Sequence, residues 1–223
     1  MVLRIAKLIA NPREPERVPA EFAAFTDAFT RRQPGNLAVR LWRSLDTPNA
    51  FFIHSAWSDL PSMRAAVEHA TYREIVDRAQ ALQIERLTVW ESLVVDVDPR
   101  AAAAGPEDDL PDPELALLRV TRASVRPGCE ERFLADYHRY TNAVTRTLPG
   151  NCAVHLARCL DPANVYFILT WWRTAGDFAA FRDGLDFDAM RAATFDYLEE
   201  RLQGWSLRVE FDDPRAPMTR ARV

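Results

Sequence analysis

The chain has 223 residues, 48% hydrophobic and 27% charged, a composition that suits one large or two small globular domains with a buried core. Its formal charge of -4, with no basic patch interleaved with aromatics, excludes a general nucleic-acid binder. No apolar run reaches the roughly 18–20 residues that span a bilayer, and the start Met1-Val2-Leu3-Arg4-Ile5 lacks the apolar stretch of a signal peptide, so a cytoplasmic protein with no membrane partner is expected.

In chain order, Leu3 to Ala10 alternates apolar with polar or small residues and predicts a strand, which Pro12 interrupts. Val18, Phe22, Phe25 and Phe29 then recur at spacings of four, three and four, the stripe of an amphipathic helix. Pro34-Gly35-Asn36 ends the helix and turns the chain. Leu37 to Leu45 and Phe51 to Trp57 are strand-like runs joined through Asp46-Thr47-Pro48-Asn49, a hairpin signal. Ser58-Asp59 before Pro61 predicts a helix N-cap, and the stripe Tyr72, Ile75, Ala79, Leu82 a further helical stretch that is either continuous or broken in two. Arg86 to Val95 returns as a strand, completing a β-α-β-β-α-β order, the ferredoxin-like motif.

The same order then recurs. Shifted by 115, residues 3–97 fall on 118–212 without a gap: Pro34-Gly35-Asn36 on Pro149-Gly150-Asn151, Leu45-Asp46 on Leu160-Asp161, Asn49 on Asn164, Phe52-Ile53 on Phe167-Ile168, Trp57 on Trp172 and Trp90 on Trp205. In the second copy the first stripe reads Phe133, Tyr137, Tyr140, Val144, the second Phe187, Met190, Thr194, Tyr197, and Thr174 with Asp177 forms a capping box. The chain therefore divides into repeat 1 (1–97), a linker (98–115) rich in Ala and Pro, repeat 2 (116–212) and a C-terminal tail (213–223). A four-stranded sheet with helices on one face leaves the other face apolar, and a second copy can cover it. The fold class expected is α+β, two tandem ferredoxin-like βαββαβ repeats forming an intramolecular dimeric α/β barrel.

Pro34-Gly35-Asn36, then Arg43-Ser44-Leu45-Asp46-Thr47-Pro48-Asn49, then a strand ending in Trp57 before a capped helix resembles the antibiotic-biosynthesis monooxygenase family of dimeric α/β barrels; Arg158-Cys159-Leu160-Asp161 and Trp172 carry the likeness in the second copy. The resemblance implies a substrate pocket in each half, between sheet and helices. It implies oxidation of an anthrone-like or phenolic substrate by dioxygen, with no cofactor or, alternatively, with diffusible reduced flavin. The strand-end Trp carries over to Trp57 and Trp172. An Asn four before it and a Tyr six after it, found in some cofactor-free members, do not: Ile53 and Met63, or Ile168 and Phe178, stand there. Haem-degrading relatives place a ligating His nine or ten positions after the Trp, where this chain has Ala66-Val67 and Phe181-Arg182, so haem is not expected.

The candidate substrate-binding residues are Trp57, Trp172, Tyr72, Phe22 and Phe25, each of which also has a plain reading as core. Phe22 and Phe25 become Tyr137 and Tyr140, which puts two phenol hydroxyls on the helix face that meets the sheet. Either these find backbone partners or they hydrogen-bond a substrate oxygen. Tyr137 and Tyr140 are thus the candidate donors, and His138 or His69 the candidate base, each with an alternative reading as an exposed residue. Trp90, Trp205, His54 and His155 read as packing residues, and Arg43 and Arg158 as hairpin anchors. The cofactor-binding residues are not identifiable. No histidine pair has metal-ligand spacing, and Cys129, Cys152 and Cys159 read as reduced, so no metal is expected. A dinucleotide fingerprint, a P-loop and a nucleophile elbow are absent. The function expected is a small monooxygenase of secondary metabolism acting on a polycyclic aromatic polyketide, its partners the aromatic substrate and dioxygen, as a monomeric pseudo-dimer or a homodimer. The alternatives are a non-redox cyclase or isomerase and a non-catalytic module for a hydrophobic ligand.

Overall fold

A computed structural model describes residues 1–98 and 116–212. Apart from Asp98, the expected linker 98–115 lies outside the described residues, as does the tail 213–223. The first repeat runs β1 (Val2–Ile9), α1 (Arg17–Ala28), β2 (Asn36–Ser44), β3 (Ala50–Trp57), α2 (Leu60–Glu68), α3 (Ala70–Gln80) and β4 (Thr88–Asp96). The second runs β5 (Leu117–Ser124), α4 (Glu130–Asp136) continued by a wider helical segment (Tyr137–Asn142) and a last turn (Ala143–Thr145), β6 (Asn151–Cys159), β7 (Val165–Trp172), α5 (Ala175–Arg182), α6 (Leu185–Thr194) and β8 (Gln203–Asp212). The strands are hydrogen-bonded in the order β1-β3-β2-β8-β5-β7-β6-β4 as a closed barrel, the α+β fold expected of two ferredoxin-like repeats. Among the described residues no helix is long and apolar enough to cross a membrane.

The chain divides into two compact units, the first holding residues 1–93 with 209–212, the second 94–98 with 116–208. In the first unit, β1 pairs antiparallel with β3 and β4, and β3 with β2. The registers set Arg4 opposite Ser55 on one side and Glu91 on the other, and Ser55 opposite Val39. Because side chains of directly opposed residues stand on one face of a sheet, Val39, Ser55, Arg4 and Glu91 form one row. The second unit repeats the row with Val154, Thr170, Arg119 and Ser206.

The residues shared by the two repeats mostly hold turns. Gly35 and Gly150 both have φ of 77°, the left-handed region that glycine enters without a steric penalty. Asn49 and Asn164 tie their hairpins to the end of the preceding repeat strand: Asn49 Nδ2 donates to the Ala10 carbonyl at 2.8 Å and Asn164 Nδ2 to that of Val125 at 2.9 Å. Arg158 Nε donates to the Ala163 carbonyl at 2.7 Å within its hairpin, whereas Arg43 turns to two carboxylates, Glu16 at 2.7 Å and Glu210 at 2.9 Å. Asp59 caps α2, its Oδ1 accepting from the Ser62 N–H at 2.8 Å, and Thr174 caps α5 through the Asp177 N–H at 3.1 Å. The second helical stretch is broken in two in each copy, at His69 and at Asp183-Gly184.

Candidate active site

Each unit encloses a cavity between its sheet and its helices, of about 370 Å³ in the first and about 390 Å³ in the second. Both fall in the range of small-molecule sites. The first is mostly apolar. Phe22 and Phe25 of α1 line it, as do Trp57 at the end of β3 and Tyr72 on α3.

Arg4 enters this apolar space from β1. Its side chain is only 12% exposed, its guanidinium carbon lies 5.3 Å from the centre of the Tyr72 ring, and its Nε is buried without a hydrogen-bond partner. The nearest carboxylate is that of Glu91, at 3.9 Å, an ion-pair distance too long for a hydrogen bond. Burial pushes the Tyr72 hydroxyl above its ordinary pKa, with Glu91 adding to the shift and Arg4 opposing it, so Tyr72 stays a neutral donor. Ser55 stands beside Arg4 on β3 and accepts the indole N–H of Trp57 at 3.0 Å, which fixes the Trp57 ring and leaves the serine proton to donate.

The second cavity is built differently on the same plan. Thr170 accepts the indole N–H of Trp172 at 2.9 Å, as Ser55 does for Trp57. Yet Trp172 is fully buried, stacked on Phe181 at 5.3 Å and set against Phe178 at 5.6 Å, and it does not line the cavity. Phe181 stands where the first copy has Ala66, so a ring covers Trp172 where a methyl leaves Trp57 open to its cavity. Arg119, the counterpart of Arg4, donates to Ser206 Oγ at 3.0 Å and lies over Phe178. Gly204 makes room for it: a Cβ there would stand 2.0 Å from an Arg119 nitrogen.

Of the candidate donors, Tyr137 lines the second cavity with its ring, but its hydroxyl donates to Asp96 Oδ2 at 3.1 Å. Asn142 and Arg146 hold the same oxygen, at 2.7 and 3.3 Å. Burial, reinforced by Asp96, raises the Tyr137 hydroxyl far above the ordinary tyrosine range. Tyr140 is half-buried and absent from the cavity wall. The physical reason is the wider segment Tyr137–Asn142: its extra residue per turn rotates the stripe, so Thr141 and Thr145 follow Tyr137 onto the cavity side. His138 is exposed and outside the cavity. His69 is exposed too, and its Nδ1 accepts the Thr71 N–H at 3.2 Å as the N-cap of α3, so neither histidine reaches a cavity as a base.

No histidine is among the residues lining either cavity, so neither offers haem an imidazole ligand, and the described residues contain no cluster suited to a metal ion. Arg4, Glu91 and Ser55 escaped the sequence reading. Arg4 matches Arg119, so only its differing neighbours Glu91 and Ser206, some 90 positions along, distinguish the two.

The profile of a family described as antibiotic biosynthesis monooxygenase matches residues 1–78 and again 116–193. No curated protein matches the chain. Among solved structures, an anthrone oxidase-like protein superposes with a TM-score of 0.77 at 12% identity, covering 100% of this chain and 96% of that one. A candidate monooxygenase of Fusobacterium nucleatum gives 0.75 at 11% identity over 100% and 98%, and one of Lactobacillus acidophilus 0.69 at 8% over 96% of each. At such identities the likeness is one of fold.

Proposed function

The chain belongs to the antibiotic biosynthesis monooxygenase family and is an enzyme of that monooxygenase type, and from this premise we propose that its first cavity oxidises an aromatic phenol or anthrone with dioxygen and no bound cofactor. The observation that supports this reading is Arg4, a cation with an unpartnered buried N–H in an apolar chamber lined by Trp57, Phe22, Phe25 and Tyr72. Such a site favours a flat aromatic anion over its neutral acid, because the guanidinium is worth far more to a developing negative charge here than in water. The proton leaves to solvent at the cavity mouth. Ser55 and Tyr72 are placed to donate to the resulting oxyanion, while the aromatic rings position the substrate and exclude water.

The electron count needs no other reductant. An anthrone methylene loses two C–H bonds and gains a C=O, giving up four electrons; dioxygen accepts all four, one oxygen atom entering the product and the other leaving as water. A cyclase would run the same pocket without oxygen.

The test is oxygen uptake and quinone formation with anthrone as probe, without added flavin. Arg4→Met is expected to lower turnover on the order of a hundredfold while the protein stays folded. Turnover that persists anaerobically, or that Arg4→Met leaves intact, overturns the proposal.

A further inference from the structure

The first cavity extends along β1, and its two ends differ in chemistry. Arg4, Ala6 and Leu8 face it in alternation, and Gln83 lines it beyond Leu8, bridged antiparallel to Ala10. At a rise of about 3.3 Å per residue, Arg4 and Ala10 lie roughly 20 Å apart along the chain. Backbone hydrogen bonds on either side pin Gln83 there: the Asn11 N–H donates to the Leu82 carbonyl at 2.8 Å, and the Ile84 N–H to that of Ile9 at 3.0 Å. Gln83 Nε2 donates to the Ala79 carbonyl at 3.1 Å, while Oε1 is buried with no hydrogen-bond partner among the described residues. Because the Ala79 carbonyl only accepts, the amide cannot turn over, and the atom left free is an acceptor.

A wholly apolar ligand filling this cavity would shut Oε1 away from water with nothing to accept from, whereas a ligand hydroxyl that reaches it supplies the missing proton. Ser55, Thr30 and Tyr72 also line the cavity, but their hydroxyls can turn to donate or accept, and Arg4 only donates. Gln83 Oε1 can only accept, so it distinguishes an O–H on the ligand from a bare C–H or a carbonyl. Its counterpart in the second repeat is Leu198, which also lines its cavity and is bridged to Val125, so at this position only the first cavity offers an acceptor. We propose that Gln83 is a specificity-determining residue that reads a hydroxyl on the substrate remote from Arg4. The first cavity then selects an elongated aromatic of fused rings, with an acidic phenol at one end and a second hydroxyl at the other. That this ligand is oxidised rests on the reaction proposed above; the hydroxyl preference rests on the cavity.

The probes are 2-naphthol and 2,6-dihydroxynaphthalene, which differ by one hydroxyl at the opposite end of the long axis, each titrated calorimetrically into the full chain. One equivalent of the diol is expected to bind about tenfold or more tightly than the monool, beyond the roughly twofold that a symmetrical molecule gains from its two equivalent orientations. Gln83→Leu installs the residue that the second repeat carries at this place, and is expected to bring that ratio down to about twofold or less. Gln83→Met, close to glutamine in shape but without the amide, gives the same reading should the leucine variant fail to fold. Equal affinities for the two probes in the parent, or a preference that survives removal of the amide, overturns the inference. Failure of the parent to oxidise anthrone would sink the oxidation alone, because these titrations involve no turnover.

Discussion

Arg4 and Arg119 stand at one position of the two repeats and differ because of what lies beside them. Arg4 faces a carboxylate beyond hydrogen-bond reach, while Arg119 has Ser206 within it and a glycine to lie across. A similar contrast holds for the phenols. Tyr72 lines a cavity beside a cation, whereas Tyr137 gives its hydroxyl to Asp96 and Tyr140 stands outside the cavity wall. The double variant Tyr137→Phe, Tyr140→Phe is therefore expected to retain anthrone turnover and to lose about 1 kcal/mol of stability, the worth of one buried hydrogen bond, read from thermal unfolding beside the activity. The importance of Arg4 was not legible in the sequence. An arginine alternating with apolar residues reads as an outward-facing strand position, and its identity in both copies points to the shared fold. Trp57, Tyr72, Phe22 and Phe25 were legible because aromatic stripes at helical or strand spacing mark the faces between which a cavity forms.

At the scale of elements, local signals carried most of the fold. The Pro-Gly-Asn turns, the Asp59 and Thr174 caps and the hairpin asparagines each declare a specific backbone need, and each meets it. Gly35 shows how tight that need is. A Cβ on it would lie 2.6 Å from the Ser62 Cβ, on a backbone already at φ 77°. Gly35→Ala is expected to cost about 2 kcal/mol, seen as a lower urea midpoint with an unchanged slope. What was not legible is the wider helical segment at Tyr137–Asn142. One added residue per turn leaves no mark in composition, yet it rotates every later side chain, so the stripe read at spacings of four and three put Tyr140 where Thr141 lies. The divergence between Ala66 and Phe181 was visible as letters, but its effect on the exposure of Trp57 and Trp172 needs the packing.

At the scale of the molecule, the end of the first repeat is anchored in the second unit by a buried polar network. Asp98 is fully buried; its Oδ2 accepts the Val154 N–H at 3.0 Å and meets Arg146 at 3.3 Å, and its own N–H donates to His155 Nδ1 at 3.1 Å. Burial lowers the His155 pKa to about 4, against the partly offsetting pull of Asp98 and Asp96. Unfolded, His155 takes up its proton near its ordinary value of about 6.5. Between those two values the unfolded chain binds the extra proton, so stability is full above the window and falls as the pH drops through it. The loss is expected to reach about 3 kcal/mol by pH 4. Urea titrations across that range check it: His155→Gln, which can accept a hydrogen bond but cannot titrate, should flatten the slope there.

The last strand of each repeat is divided between the units, with residues 94–98 counted in the second and 209–212 in the first. Excising one copy from the gene would strip Glu210 from beside Arg43 and Phe211 from beside Phe22, or Asp98 from Val154 and Asp96 from Tyr137. Natural selection for a folded product therefore preserves both copies together, whatever becomes of their chemistry. A duplicate bound in this way keeps its fold even as the lining of its cavity changes, as the replacement of Ala66 by Phe181 over the strand-end tryptophan illustrates.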